Sequence, residues 1–334
     1  LLLRRRRILV SLTSEAINPM GKTTFTYGRR RRDLGLVGCL ALLLFSAQPV
    51  ASQSRPLVRQ WDEALGYYNP AALAPLGTGQ IAGLWGREDH RHSYYLLLTD
   101  LPLELLGGRH VVGAQLLHHQ QDLWEHSTFS LRGSACLPLS EGKRLQLGME
   151  GTLHRLTFDG KKALEEGITN SELPTTKSEG KALGLSLGLQ YYGERLSAGI
   201  AVTDLFGVHT RIGERYTAQL PPRYSATLSY HIGSAVAWAF VPAIWGSYSQ
   251  DERWRSEVRG TLWYHARIAL GSSYRQGEAL GLHTRLRLGE LSLGYQVERS
   301  TRSSSFYHEL LLGYTLPHGR TKHTEPRYKS IRLL

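Results

Sequence analysis

Between Ala182 and Asp204 apolar positions alternate with small or polar ones. Leu183, Leu185, Leu187, Leu189 and Tyr191 share one parity, while Gly184, Ser186, Gly188 and Gln190 share the other. After a turn at Gly193-Glu194 the pattern resumes, with Leu196, Ala198, Ile200 and Val202 set against Ser197, Gly199, Ala201 and Thr203. A period of two is the period of a strand, because successive side chains point to opposite faces. One such hairpin fits a soluble sandwich, which buries its leucine face, and equally a membrane barrel, which turns that face to lipid.

The same alternation recurs downstream. Leu145, Leu147, Met149 and Leu153 oppose Gln146, Gly148, Glu150, Thr152 and His154. Leu282, Leu286 and Leu288, then Leu291, Leu293, Tyr295 and Val297, oppose His283, Arg285, Arg287, Ser292, Gly294, Gln296 and Glu298. About fourteen such segments follow one another, with centres near residues 83, 96, 113, 130, 149, 186, 200, 227, 239, 258, 270, 283, 294 and 311. Pro242 predicts a bulge or a strand end, because it cannot donate to a ladder. Tight turns fall at Glu141-Gly142, Gly193-Glu194, Gly233 and Gly289-Glu290; longer loops run from Gly160 to Gly180 and from Gly207 to Pro222.

The polar face separates the two architectures. A solvated outer face would be rich in Lys and Glu, whereas this one carries Gly, Ser, Thr, Gln, His and Arg, a mixture suited to a confined interior. Aromatic residues near strand ends (Tyr191, Tyr192, Tyr230, Trp245, Trp263, Tyr264, Tyr274 and Tyr314) fit interfacial girdles. Closure removes the edges that so long a sheet would expose. The expected fold is all-β: a transmembrane antiparallel up-and-down β-barrel of about 14 strands over residues 79–316.

Composition changes this picture at the two ends. Arg29–Arg32, the apolar run Leu34–Phe45 and the small residues Val50-Ala51-Ser52 have the order of a secretory signal peptide. Residues 1–52 are therefore expected to be an N-terminal extension and signal peptide, cleaved near Ser52, with Met20 a plausible start. They hold nine Lys/Arg and two acids, which leaves about +5 of the formal +12 for the remainder. The high pI thus carries little argument for nucleic acid, and no motif for it is present. Mean hydropathy of −0.27 excludes a polytopic helical membrane protein. Residues 53–78 lack alternation and form an expected periplasmic or plug segment, with a short helix over Trp61–Leu65 ended by Asn69-Pro70. Residues 317–334 form a basic tail in which Arg320, Lys322, Arg327, Lys329 and Arg332 stand against Glu325.

Chemistry is sparse. Cys136 is the single cysteine after Ser52, so neither an internal disulfide nor a cysteine-based metal site is expected. His118-His119 would point to opposite faces of a strand, and His90-x-His92 lies in an expected loop, so no metal site or cofactor is expected. Ser and His are near one another in "HSYY" and "YSATLSYH", which is weak ground for a hydrolase. Arg255, Glu257, Arg259, Arg267, Arg285, Arg287, Glu298 and Glu309 would all point inward. They are read as a paired network filling the lumen, with a selective solute path as the alternative.

"YYNPAALAP" (Tyr67 to Pro75), with Asn69, Pro70 and Ala71, resembles the Asn-Pro-Ala segment that opens proteins of the PorP/SprF family. "GLSLGLQYYGERLSAGIAVTDLFG" resembles that family's central hairpin and "FYHELLLGYTL" its closing strand, so the resemblance covers residues 60–316. It implies a non-enzymatic outer-membrane component of the type IX secretion system of Bacteroidetes-like bacteria. Its expected partners are outer-membrane lipid, periplasmic ring proteins and a secreted cargo or adhesin. The eighteen residues after Leu316 depart from the family pattern, in which the chain usually stops at the last strand. The rival functions are a solute channel with an N-terminal plug and a barrel enzyme such as a lipid hydrolase.

Overall fold

The computed structural model describes residues 55–73, 78–88, 92–105, 108–140, 142–168, 173–234 and 237–317. Strands β1 (Thr78–Arg87), β2 (His92–Leu105), β3 (Gly108–Gln121), β4 (Trp124–Ser140), β5 (Lys143–Asp159), β6 (Lys177–Tyr192) and β7 (Leu196–Thr203) form consecutive antiparallel hairpins. A small separate hairpin, β8 (Val208–Ile212) with β9 (Tyr216–Leu220), interrupts the series. The barrel continues with β10 (Arg223–Tyr230), the two-residue β11 (Ile232–Gly233), β12 (Trp238–Ser249), β13 (Arg253–Tyr264), β14 (Ile268–Arg275), β15 (Ala279–Leu288), β16 (Leu291–Ser300) and β17 (Phe306–Pro317). Pairing of β10 with β12 and of β1 with β17 closes the ring, so fourteen strands enclose a lumen. Each of the fourteen expected centres falls within one barrel strand.

The alternation sets the two faces. Leu183 is 79% exposed and Met149 57%, while the neighbouring inward residues Ser186 and Gln190 are 1% and 0% exposed. The outward face carries large apolar side chains, as hydrocarbon requires, and backbone pairing runs from strand to strand around the ring. Among the described residues no helix is long and apolar enough to cross a membrane. Arginine in place of outward Leu187 is expected to cost about 2–4 kcal/mol if it lies near the bilayer midplane. Alanine in place of inward Ser186, which accepts the Asp204 N–H at 3.2 Å, is expected to cost about 1 kcal/mol. Urea unfolding of the two variants in lipid vesicles tests this, and equal costs would sink the face assignment.

Three expectations are corrected. Tyr192, Trp245 and Trp263 do not belong to the girdle: all three are buried and face the lumen. Tyr230, Tyr264, Tyr274 and Tyr314 do face outward, joined by Tyr224, Trp238, Tyr248 and Trp254. Pro242 neither ends β12 nor shifts its register with β13. Instead the ladder on its other edge stops at Ser229↔Ala243 and resumes at Ile232↔Phe240, because the proline has no N–H to offer there. The loop expected from Gly207 to Pro222 contains the β8–β9 hairpin, whose Val208, Ile212, Ala218 and Leu220 pack with Leu156 and Phe158 of β5.

The two ends of the barrel differ. One end carries Thr78 and Pro317 together with short turns; Gly142 and Gly289 take φ of +70° and +63° there, the left-handed backbone that favours glycine. The other end carries the segments 160–176 and 204–222, the longest connections of the barrel. The expected signal peptide lies outside the described residues, as do His90 and the tail cations Arg320, Lys322, Arg327, Lys329 and Arg332.

Candidate functional site

Residues 55–73 fill the lumen. Val58, Trp61, Ala64, Tyr68, Ala71, Ala72 and Leu73 are each no more than 2% exposed. The segment starts at the long-loop end, where the Arg55 guanidinium meets Asp204 at 2.5 Å and donates to the Pro221 carbonyl at 3.1 Å. It descends through Val58 and Trp61 to Asp62 and Glu63, turns, and makes one helical turn over Leu65–Tyr68, which Asn69 ends. The expected helix at Trp61–Leu65 is thus displaced toward Tyr68, with a non-helical turn in its place. Two tyrosines tie the limbs together: Tyr68 both accepts from the Val58 N–H and donates to the Val58 carbonyl at 2.9 Å, and Tyr67 donates to the Pro56 carbonyl at 2.8 Å. The Tyr68 ring also packs edge-on against Trp245, centroids 5.2 Å apart.

Asn69, Pro70 and Ala71 rest against one patch of wall. The Asn69 amide donates to the Leu189 carbonyl at 3.0 Å and to Gln190 at 3.1 Å. Its oxygen accepts the Ala71 N–H at 2.9 Å, which closes a local turn over the proline. The wall there is glycine: a Cβ at Gly148 would collide with the Pro70–Ala71 backbone, and one at Gly188 with the Asn69 side chain. Inward glycines on β5 and β6 therefore admit this turn against the backbone of the sheet.

Charges hold the first limb. Glu309, fully buried, accepts the Arg59 and Gln60 N–H groups at 2.7 Å each, and the Tyr94 hydroxyl. Asp62 meets Arg259 at 2.5 Å and Arg285 at 2.6 Å; Glu63 meets Arg285 at 2.9 Å and Arg287 at 3.5 Å. Glu257 accepts from Trp61 Nε1, Arg259 and Arg275 at 2.8 Å each, and Glu298 joins Arg275 at 2.8 Å to Arg59 at 3.3 Å. Arg59 lies 3.5 Å above the Tyr307 ring. A second cluster runs along the opposite wall, from His126 through His154 to Asp204, each step 3.0 Å.

Of the eight residues expected to line the lumen, Glu257, Arg259, Arg285, Arg287, Glu298 and Glu309 meet in this one network. Arg255 stands nearer the long-loop rim, with Glu252 at 3.4 Å and Glu278 at 3.2 Å. Arg267 does not point inward: it is exposed in the turn between β13 and β14, whose preceding residues His265 and Ala266 have positive φ. Sequence reasoning missed Arg55, Arg59, Asp62, Glu63, Asp204 and Arg275. One signal was available: inward arginines outnumbered inward glutamates, so some acid had to arrive from outside the strands, and Asp62-Glu63 lies in the nearest segment without alternation. Among the described residues no group of three or more His, Cys, Asp or Glu is placed to hold a metal ion.

Burial alone would raise the Asp204 carboxyl, but His154 and Arg55 outweigh it and hold it well below the usual carboxylate range. A depressed native value contributes stability that is complete above the unfolded value, near 4, and is lost as pH falls through the native one. The Arg55–Asp204 contribution to plug retention is therefore expected to be equal at pH 7 and pH 5 and to weaken only below about pH 4. Currents across planar bilayers at stepwise lower pH measure it; an onset between pH 7 and 5 would point to Glu309 or a histidine instead.

A comparison with curated protein sequences returned no match. Among solved structures the chain is similar to the CymD monoaromatic hydrocarbon channel, with TM-score 0.48 and 11% identity over 81% of this chain and 95% of that one. It is also similar to a Pseudomonas aeruginosa FadL homologue, with TM-score 0.42 and 12% identity over 77% and 94%. A third is the Acinetobacter baumannii outer membrane protein Omp33, with TM-score 0.43 and 11% identity over 71% and 97%. The sequence family described as type IX secretion system membrane protein PorP/SprF matches residues 50–314, from before the lumen segment into the last strand, and this outer-membrane barrel belongs to that family.

Proposed function

We propose that the chain is a non-enzymatic component of type IX protein secretion, a filled barrel that links periplasmic ring proteins and a secreted cargo or adhesin to the outer membrane. The observation that carries this reading is the occupied lumen. Segment 55–73 contributes Asp62 and Glu63 to the wall arginines and its backbone N–H groups to Glu309. A lumen closed by its own chain suits an anchoring role better than a path for solute, and family membership supplies the secretion context.

The expected partner contact on the periplasmic side is the basic tail, whose five Lys/Arg against one acid fit an acidic ring protein. Crosslinking in cells followed by recovery of the barrel tests the reading. The full chain is expected to bring ring proteins and cargo with it. A chain truncated after Leu316 is expected to insert, to recover less of them and to secrete less cargo. The recovered contacts should also weaken with salt, because the Debye length falls from ~10 Å at 0.1 M to ~3 Å at 1 M. Steady solute-dependent currents from the intact protein, with no ring protein recovered, would favour the channel reading instead.

A further inference from the structure

We infer that the N-terminal end of the plug, Arg55–Leu57, is presented at the extracellular mouth of the barrel, so that the segment runs from the cell surface down through the lumen to β1. Two independent sets of contacts place these residues at the long-loop end, and a third holds them there. Arg55 is bound twice to the connection between β7 and β10, through Asp204 and the Pro221 carbonyl. Arg55, Pro56 and Leu57 line a chamber of about 160 Å³ whose other walls include Glu88, His92, Gln121 and Glu278, which lie at strand ends opposite Thr78 and Pro317. Tyr67 fastens the Pro56 carbonyl in that position. From there the chain reaches the other end only at Glu63 and Leu65, where a smaller cavity is walled by Tyr192, Ser197 and Val241 near the short turns.

Sidedness follows from loop length. In bacterial outer-membrane barrels short turns face the periplasm and long loops the exterior. Here the end with Thr78, Pro317 and the short turns is the periplasmic one, and the 160–176 and 204–222 connections lie outside. The plug then begins at the outer mouth, although β1, which follows it in the chain, starts from the periplasmic rim.

Cysteine labelling on intact cells tests this independently of any secretion role. In a Cys136→Ser background, Leu57→Cys is expected to react with a membrane-impermeant maleimide equally before and after permeabilisation, a ratio near one. Glu290→Cys, in the short turn between β15 and β16, is expected to react only afterwards. A short epitope inserted ahead of Arg55 gives a second readout by antibody binding to intact cells, with a heat-dependent gel shift showing that each variant is folded. Labelling of Leu57→Cys confined to permeabilised cells overturns the inference. So does a folded protein in which neither the cysteine nor the epitope is reached from outside.

Discussion

Deletion of residues 55–73 is expected to convert a barrel that conducts little into a steadily conducting pore. The ring does not depend on the segment for its hydrogen bonds: β1 pairs with β17 over ten residues and β10 with β12 over seven. What the segment supplies is volume and charge. Without it Arg259, Arg275, Arg285, Glu257, Glu298 and Glu309 line an open, hydrated lumen, and their mutual ion pairs weaken as water raises the local dielectric. Single-channel recording of the intact and deleted proteins, each with its gel shift, gives the result directly. Silent bilayers from a folded deletion variant would mean that wall side chains alone close the lumen.

Neutralising Arg285 and Arg287 together to alanine is the second large effect expected. Among the described residues Glu63 then has no cation within ion-pairing distance, and Asp62 keeps Arg259. Removing one side of a buried pair leaves the other charge without compensation, at a cost of roughly 3–5 kcal/mol. The loss is expected in the seating of the plug before the barrel itself, so currents should appear at temperatures below the loss of β-structure by circular dichroism. The alternative reading of these arginines, a selective path for solute, predicts the reverse: unchanged stability, with selectivity altered in a protein that already conducts.

The wall was legible from sequence because lipid and lumen impose opposite demands on alternate residues, as Leu187 and Ser186 show. Glu257, Glu298 and Glu309 could be placed inward by parity alone. Parity fails where the backbone leaves the strand. Arg267 has the spacing of an inward residue but sits past the end of the ladder, in a turn. Closeness to strand ends suggests the girdle for Trp245 and Trp263, yet their parity puts them inside, where Tyr68 and Arg287 cover them. The plug gave no periodic signal at all. Its side chains are chosen by what they meet across the lumen, at separations near 200 residues in sequence, as with Trp61 and Glu257, and no local pattern encodes that.

The seam between β1 and β17 has a consequence for how such a molecule is assembled. Every other barrel strand pairs with its neighbour in chain order, across a hairpin or a short insertion. The seam alone joins residues as remote as Thr78 and Pro317. Local pairings form early and remote ones late, since the entropy of closing a loop must be met before its contacts form. The stretch that ends inside lies directly ahead of β1, so it reaches the site of closure together with the last edge to be sealed. The curved sheet is therefore expected to fold around its own leading stretch, enclosing it as the ring shuts rather than having it pushed through a finished hole.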